Sequence, residues 1–168
     1  MTTPLSRRLV AEGVGTGLLI IAVVGSGIMA TNLTDDVAIQ LLANAGATVG
    51  ALIALIMMFG PISGAHFNPV VTASDCVLNA RPWRDLAPYF AAQTLGGIVG
   101  AAIANTMFDL DVLGPSTKIR EGSGIWLGEV VATLGLLMVI FLISKHRAES
   151  VPVAVGVWIG GAYWFTSS

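Results

Sequence analysis

The chain has 168 residues, of which 55% are hydrophobic and 11% charged, and carries a net charge of −2. Its mean hydropathy is +0.82. Soluble domains are about a quarter charged and disordered chains combine low hydrophobicity with high charge, so the composition excludes both. One cysteine, Cys76, leaves no intrachain disulfide. His66 and His146 stand apart with no ligand cluster around them, so neither a metal nor another cofactor is expected.

A membrane-spanning helix takes roughly 20 residues. The apolar stretches 9–30, 38–60, 86–108, 125–144 and 151–166 predict five spans, the last at the short limit. Glu12 interrupts the first run, and apolar residues continue to Ala30, which favours a retained span over a cleaved signal. Polar breaks at Thr31–Asp36, Asn79–Asp85, 109–124 and Lys145–Glu149 separate the stretches. With the N-terminus cytoplasmic, Arg7, Arg8, Arg81, Arg84, Lys145 and Arg147 lie inside, and only Lys118 and Arg120 outside. This orientation satisfies the positive-inside rule.

Between the second and third spans, residues 67–78 are too apolar for an ordinary loop. Asn68 followed by Pro69 suits a helix start: Asn caps the first amides and Pro fits the first helical position. A helix of about ten residues reaches about 15 Å, half the hydrocarbon thickness. The segment predicts a re-entrant half-helix over about 68–78, preceded by an extended stretch from Pro61 to His66. An amphipathic helix lying on the cytoplasmic surface is the competing reading. Irregular backbone at membrane depth must be covered by protein or line a water-filled path.

Glu12, Glu129 and Gln93 are polar groups in or near the spans. A carboxylate inside a membrane usually faces a partner or a cavity; backbone N–H groups of an irregular loop are one such partner, and solvation near an interface is the alternative. Glycines spaced by four recur at Gly13/Gly17, Gly46/Gly50, Gly96/Gly100, Gly124/Gly128 and Gly156/Gly160. That spacing lets helices approach closely and predicts a compact bundle. Glu12 and Thr16 recur at a common offset as Glu129 and Thr133. Residues 1–117 read as a first repeat of three spans and the half-helix, and 118–168 as part of a second, inverted copy. A second half-helix and a sixth span are missing from this pattern, so the chain reads as C-terminally incomplete and is expected not to conduct by itself.

Ser63-Gly64-Ala65-His66-Phe67-Asn68-Pro69-Val70-Val71-Thr72 resembles the SGAHxNPAVT signature of the major intrinsic proteins, the aquaporins and aquaglyceroporins. Ala11-Glu12-Gly13-Val14-Gly15-Thr16 is similar to that family's AExxGT, Ala92-Gln93-Thr94-Leu95-Gly96-Gly97 to its AQxxG, and Glu129 matches its fourth-span glutamate. Val70 stands where the family has alanine. The resemblance implies an all-α membrane protein: an aquaporin-like right-handed bundle of inverted repeats, here with five transmembrane helices and one re-entrant half-helix. It implies pore-lining carbonyls at Gly64, Ala65 and His66, and a midplane constriction at Asn68, Pro69 and Val70. Glu12, Glu129 and Gln93 become loop-holding buried polar groups. The filter candidates are Thr48, Gly160 and Gly161, all small, which implies a wide pore.

The function implied is a passive channel for water or small neutral solutes such as glycerol, urea or undissociated metalloid acids. The expected partners are the lipid bilayer and those solutes, with a homotetramer for the complete protein, in a bacterial plasma (inner) membrane. An inverted-repeat secondary transporter would need ion-coupling carboxylates at mid-membrane, for which Glu12 and Glu129 are the candidates. A non-conducting truncated membrane protein is the third reading. No nucleophile–base set or phosphate loop suggests an enzyme, and no basic patch suggests nucleic acid.

Overall fold

The computed structural model describes residues 3–79, 81–112, 114 and 119–166. The expected repeat boundary at 117–118, and Lys118 with it, lies outside them. The described residues form helices α1 (Leu5–Leu33), α2 (Val37–Ser63), α3 (Pro69–Leu78), α4 (Leu86–Met107), α5 (Ser123–Ile143) and α6 (Val151–Thr166). Short 3₁₀ turns at Trp83–Asp85 and Ala148–Ser150 lead into α4 and α6. Among the described residues there is no strand.

Among the described residues, four helices are long and apolar enough to cross a membrane: Leu5–Leu33, Val37–Ser63, Trp83–Met107 and Ser123–Ile143. α6, with 16 residues, spans about 24 Å at 1.5 Å per residue and falls short of the ~30 Å core. α3 has 10 residues, half a span.

The sequence expectation of an extended stretch from Pro61 is corrected in its first part. α2 continues through Pro61 to Ser63, and irregular backbone begins at Gly64. Proline removes one ladder bond, but the ladder resumes beyond it, with Gly64 N donating to Gly60 O at 3.0 Å. Apolar membrane helices tolerate such an interior proline.

The helices are distributed between two compact units. One holds the residues up to Gly25 together with Ala54–Val112. Here the glycine pairs of α1 and α4 interlock. A Cβ on Gly96 would overlap the Gly13 carbonyl, one on Gly100 would overlap the Gly17 carbonyl, and one on Gly17 would sit 3.1 Å from Gly96 O. Backbones this close allow dispersion contacts to take the place of the hydrophobic drive that lipid removes.

The other unit holds Ser26–Ile53 and the residues after Val112. Asp36 caps α2, its Oδ1 accepting from Ala38 N at 2.9 Å and Ile39 N at 3.2 Å. α5 and α6 pack along one another. Trp158 Nε1 donates to Ala132 O at 3.0 Å, and Gly135 leaves room for the Trp158 ring. Gly156 approaches Ile53 and Val49 of α2, and Gly160 approaches Val49. Among the described residues, Gly46, Gly50 and Gly124 meet nothing within 4 Å, so the Gly46/Gly50 spacing marks no contact there, whereas Gly128 lies against Thr166.

Candidate functional site

The irregular segment Gly64–Asn68 joins the end of α2 to α3. It needs positive φ at Gly64 (97°), Ala65 (50°) and Phe67 (47°). Non-glycine residues in this region are strained and persist only where their surroundings over-determine them. Glu12 of α1 supplies that determination. Its side chain is completely buried. Oε1 accepts from Ser63 Oγ at 2.6 Å and His66 N at 3.0 Å; Oε2 accepts from Phe67 N and Gln93 Nε2, both at 2.8 Å. Ser63 Oγ in turn accepts from Ala65 N at 3.0 Å. Three consecutive backbone amides are thus satisfied directly or through one hydroxyl. All groups facing Glu12 are donors, which is the inventory a carboxylate requires. Hydrogen bonds to charged groups contribute about 1.5–3 kcal/mol each, enough to hold a strained loop.

The half-helix start follows from local chemistry. Asn68 is the N-cap, with Oδ1 accepting from Val70 N at 2.8 Å and Val71 N at 3.4 Å, and Pro69 opens the helix. Thr72, one turn on, lies 3.1 Å from Asn68 O and 3.0 Å from His66 Nδ1, and accepts from Gln93 Nε2 at 3.1 Å. Gln93 therefore ties both the carboxylate and the half-helix to α4. The Phe67 ring packs edge-on against Phe59, with centroids 6.1 Å apart. Gly15 makes this possible, because a Cβ there would overlap the Phe67 ring. Burial alternates along the segment: Ala65 and Phe67 are buried, Gly64 and Val70 exposed, and His66 and Asn68 in between.

The end of α2 is gripped from a second side. Ser63 O accepts from the buried Tyr89 hydroxyl at 2.9 Å and from Arg81 Nη2 at 3.3 Å. Arg81 pairs with Asp75 of α3 and lies over the Tyr89 ring, 4.8 Å from its centroid. Burial works against the Arg81 charge, but the Asp75 hydrogen bond and Tyr89 outweigh it and hold its pKa above the ordinary arginine value. Asp85, at the start of α4, is buried and paired with Arg8 of α1 at 2.8 Å.

The structure thus brings Glu12, Gly64, Ala65, His66, Asn68, Pro69, Val70 and Gln93 into one constellation within one unit. Glu129, Thr48, Gly160 and Gly161 belong to the other unit. Glu129 is exposed on α5. Thr48 is 2% exposed, with Oγ1 2.9 Å from Asn44 O and 3.0 Å from Tyr163 Oη. Gly160 is half-buried and Gly161 exposed.

Sequence reading gave no site role to Ser63 and Thr72, which it quoted within the signature, to Arg81, which it counted only for orientation, or to Asp75, Tyr89 and Tyr163. Two of these carry a retrievable signal. Tyr89 precedes Gln93 by one helical turn and Thr72 follows Asn68 by one, so each shares a face with a residue that was found.

A strained loop held by a buried carboxylate, feeding a capped half-helix beside membrane-length helices, defines a polytopic membrane protein with a re-entrant segment. Known proteins similar to it agree. The family described as Major intrinsic protein matches residues 1–166. Aquaglyceroporin AqpS of Rhizobium meliloti is 49% identical over 164 residues, covering 98% of this chain and 70% of the relative. Aquaporin NIP2-1 of Oryza sativa is 29% identical, covering 97% of this chain and 54% of the relative. The chain thus spans between about half and about 70% of these relatives. The X-ray structure of the aquaglyceroporin from Plasmodium falciparum shares the fold, with a TM-score of 0.78 at 21% identity, covering 96% of this chain and 72% of that one. The chain belongs to the major intrinsic protein family. It is an integral membrane protein with the aquaporin-like fold, of a family that passes water and small solutes.

Proposed function

We propose that this chain contributes to a passive path for small neutral solutes, glycerol, urea or undissociated metalloid acids, together with water. The observation that carries the reading is the Glu12-held loop ending in the Asn68 cap. Asn68 Oδ1 is committed to Val70 N and Val71 N, so its Nδ2 is the atom that donates to a passing solute. The α3 N-terminus carries roughly half a positive charge, which repels cations and protons while neutral solutes exchange hydrogen bonds. The carbonyls of Gly64, Ala65 and His66 offer acceptors along one half of the path, and Asn68, Pro69 and Val70 form its constriction. Thr48, Gly160 and Gly161 contribute to the selectivity filter. Glu129 serves a second loop as Glu12 serves the first. The protein works as a channel and not as an enzyme, with its N-terminus cytoplasmic in a bacterial inner membrane and, when complete, as a homotetramer.

Glu12 argues against ion coupling. A coupling carboxylate exchanges its partners during transport, whereas Glu12 is completely buried and holds backbone amides that the loop cannot release without unfolding. The test is proteoliposome swelling in glycerol and urea gradients using the product of this gene. Swelling faster than in empty vesicles, unchanged when sodium and proton gradients are collapsed, is the expected result; dependence on either gradient refutes it.

A further inference from the structure

The two hydroxyls at Thr48 and Tyr163 stand in a fixed proton order. Thr48 Oγ1 lies 2.9 Å from the Asn44 carbonyl oxygen, which can only accept, so the single Thr48 hydroxyl hydrogen goes there. Tyr163 Oη, 3.0 Å from Thr48 Oγ1, must then be the donor of that second bond. Its lone pairs remain as acceptors. The exposures point the same way: Thr48 is 2% exposed, while Tyr163 is half-buried.

The backbone around Tyr163 fixes this arrangement. One turn earlier on α6, Gly160 is so close to α2 that a Cβ would stand 2.7 Å from Val49 Cγ2, and Gly156 is as close to Ile53. These approaches seat α6 on α2 beside Thr48. A Cβ on Gly161 would meet nothing within 4 Å.

We propose that Tyr163 is a specificity-determining residue of the solute path. Its ring occupies the space that the small side chain of Thr48 leaves, and its Oη accepts a hydrogen bond from a hydroxyl-bearing neutral solute. The path at this point is then narrower, and more selective for short polyols, than Thr48, Gly160 and Gly161 alone imply. The inference rests on the channel reading and on Thr48 lying at its filter.

The test is stopped-flow swelling of proteoliposomes carrying the product of this gene, with water, glycerol and ribitol as probes. Tyr163→Phe should lower the glycerol-to-water permeability ratio by roughly two- to tenfold, the loss of one ordinary hydrogen bond. Thr48→Val removes the seat of the Tyr163 hydroxyl and should move the ratio the same way, with the double variant no lower than Tyr163→Phe alone. Tyr163→Ala should speed ribitol entry. A conducting wild type whose Tyr163→Phe variant elutes as a folded species and keeps the wild-type ratio overturns the role of Tyr163, whether or not Tyr163→Ala folds. A wild type that swells no faster than empty vesicles overturns the channel reading, and this inference with it.

Discussion

Glu12 and Phe67 lie 55 positions apart in sequence, yet the Glu12 carboxylate accepts the Phe67 backbone N–H at 2.8 Å in a fully buried setting. Phe67 is one of the two positive-φ non-glycine residues of the loop. The carboxylate therefore holds in place a backbone that would otherwise relax.

Glu12→Gln should destabilise the protein by on the order of 2–3 kcal/mol. All four groups facing Glu12 are donors, two at each oxygen, so the new amide NH₂ must point at two of them. Thermal unfolding in detergent reads this as a lower Tm, and Glu12→Ala should lower it further. A Glu12→Gln variant as stable as wild type would mean that the carboxylate does not hold the loop.

Gly96→Ala should cost about 1–3 kcal/mol as an overpacked contact, because the added Cβ overlaps the Gly13 carbonyl across the α1–α4 approach. Gly46→Ala, where nothing lies within 4 Å, should be neutral or stabilising by up to about 1 kcal/mol through helix propensity. The two variants differ only in what surrounds the same methyl group. Equal Tm values for both would remove the packing explanation.

Asn68→Asp should preserve the half-helix, since aspartate is an equally good cap and its charge suits a helix N-terminus. The added negative charge should weaken cation exclusion and slow neutral-solute flux. Conductance across planar bilayers, measured beside solute swelling, checks both. Unchanged values in both assays would place Asn68 away from the constriction.

How much of this could be read from the sequence depends on how local each cause is. Asn68 and Pro69 announce a helix start because capping is settled within three residues, and α3 begins at Pro69. Pro61 misleads for the same reason. Read locally, a proline ends a helix, whereas in α2 the apolar surroundings carry the helix two residues further. Gly13, Gly17, Gly96 and Gly100 are legible as a contact pattern, but the same spacing at Gly46 and Gly50 faces open space. Spacing gives the capacity for close approach and says nothing of whether a partner arrives. Glu12 and Glu129 show the same limit. Their sequence surroundings are alike, yet one is completely buried under four donors and the other is exposed. Tyr163 escaped notice because its role depends on a side chain reaching from α6 to α2, 115 positions away in sequence.

The central claim is that solutes pass the exposed N-terminus of the half-helix, where Val70 is 47% exposed. The most direct measurement places a cysteine there. Val70→Cys in a Cys76→Ser background, reconstituted and treated with a small thiol reagent, should lose glycerol flux as the label goes on, and glycerol should slow the labelling. The Cys76→Ser parent should keep its flux under the same treatment. Complete labelling of the Val70→Cys protein with undiminished glycerol flux would contradict the account.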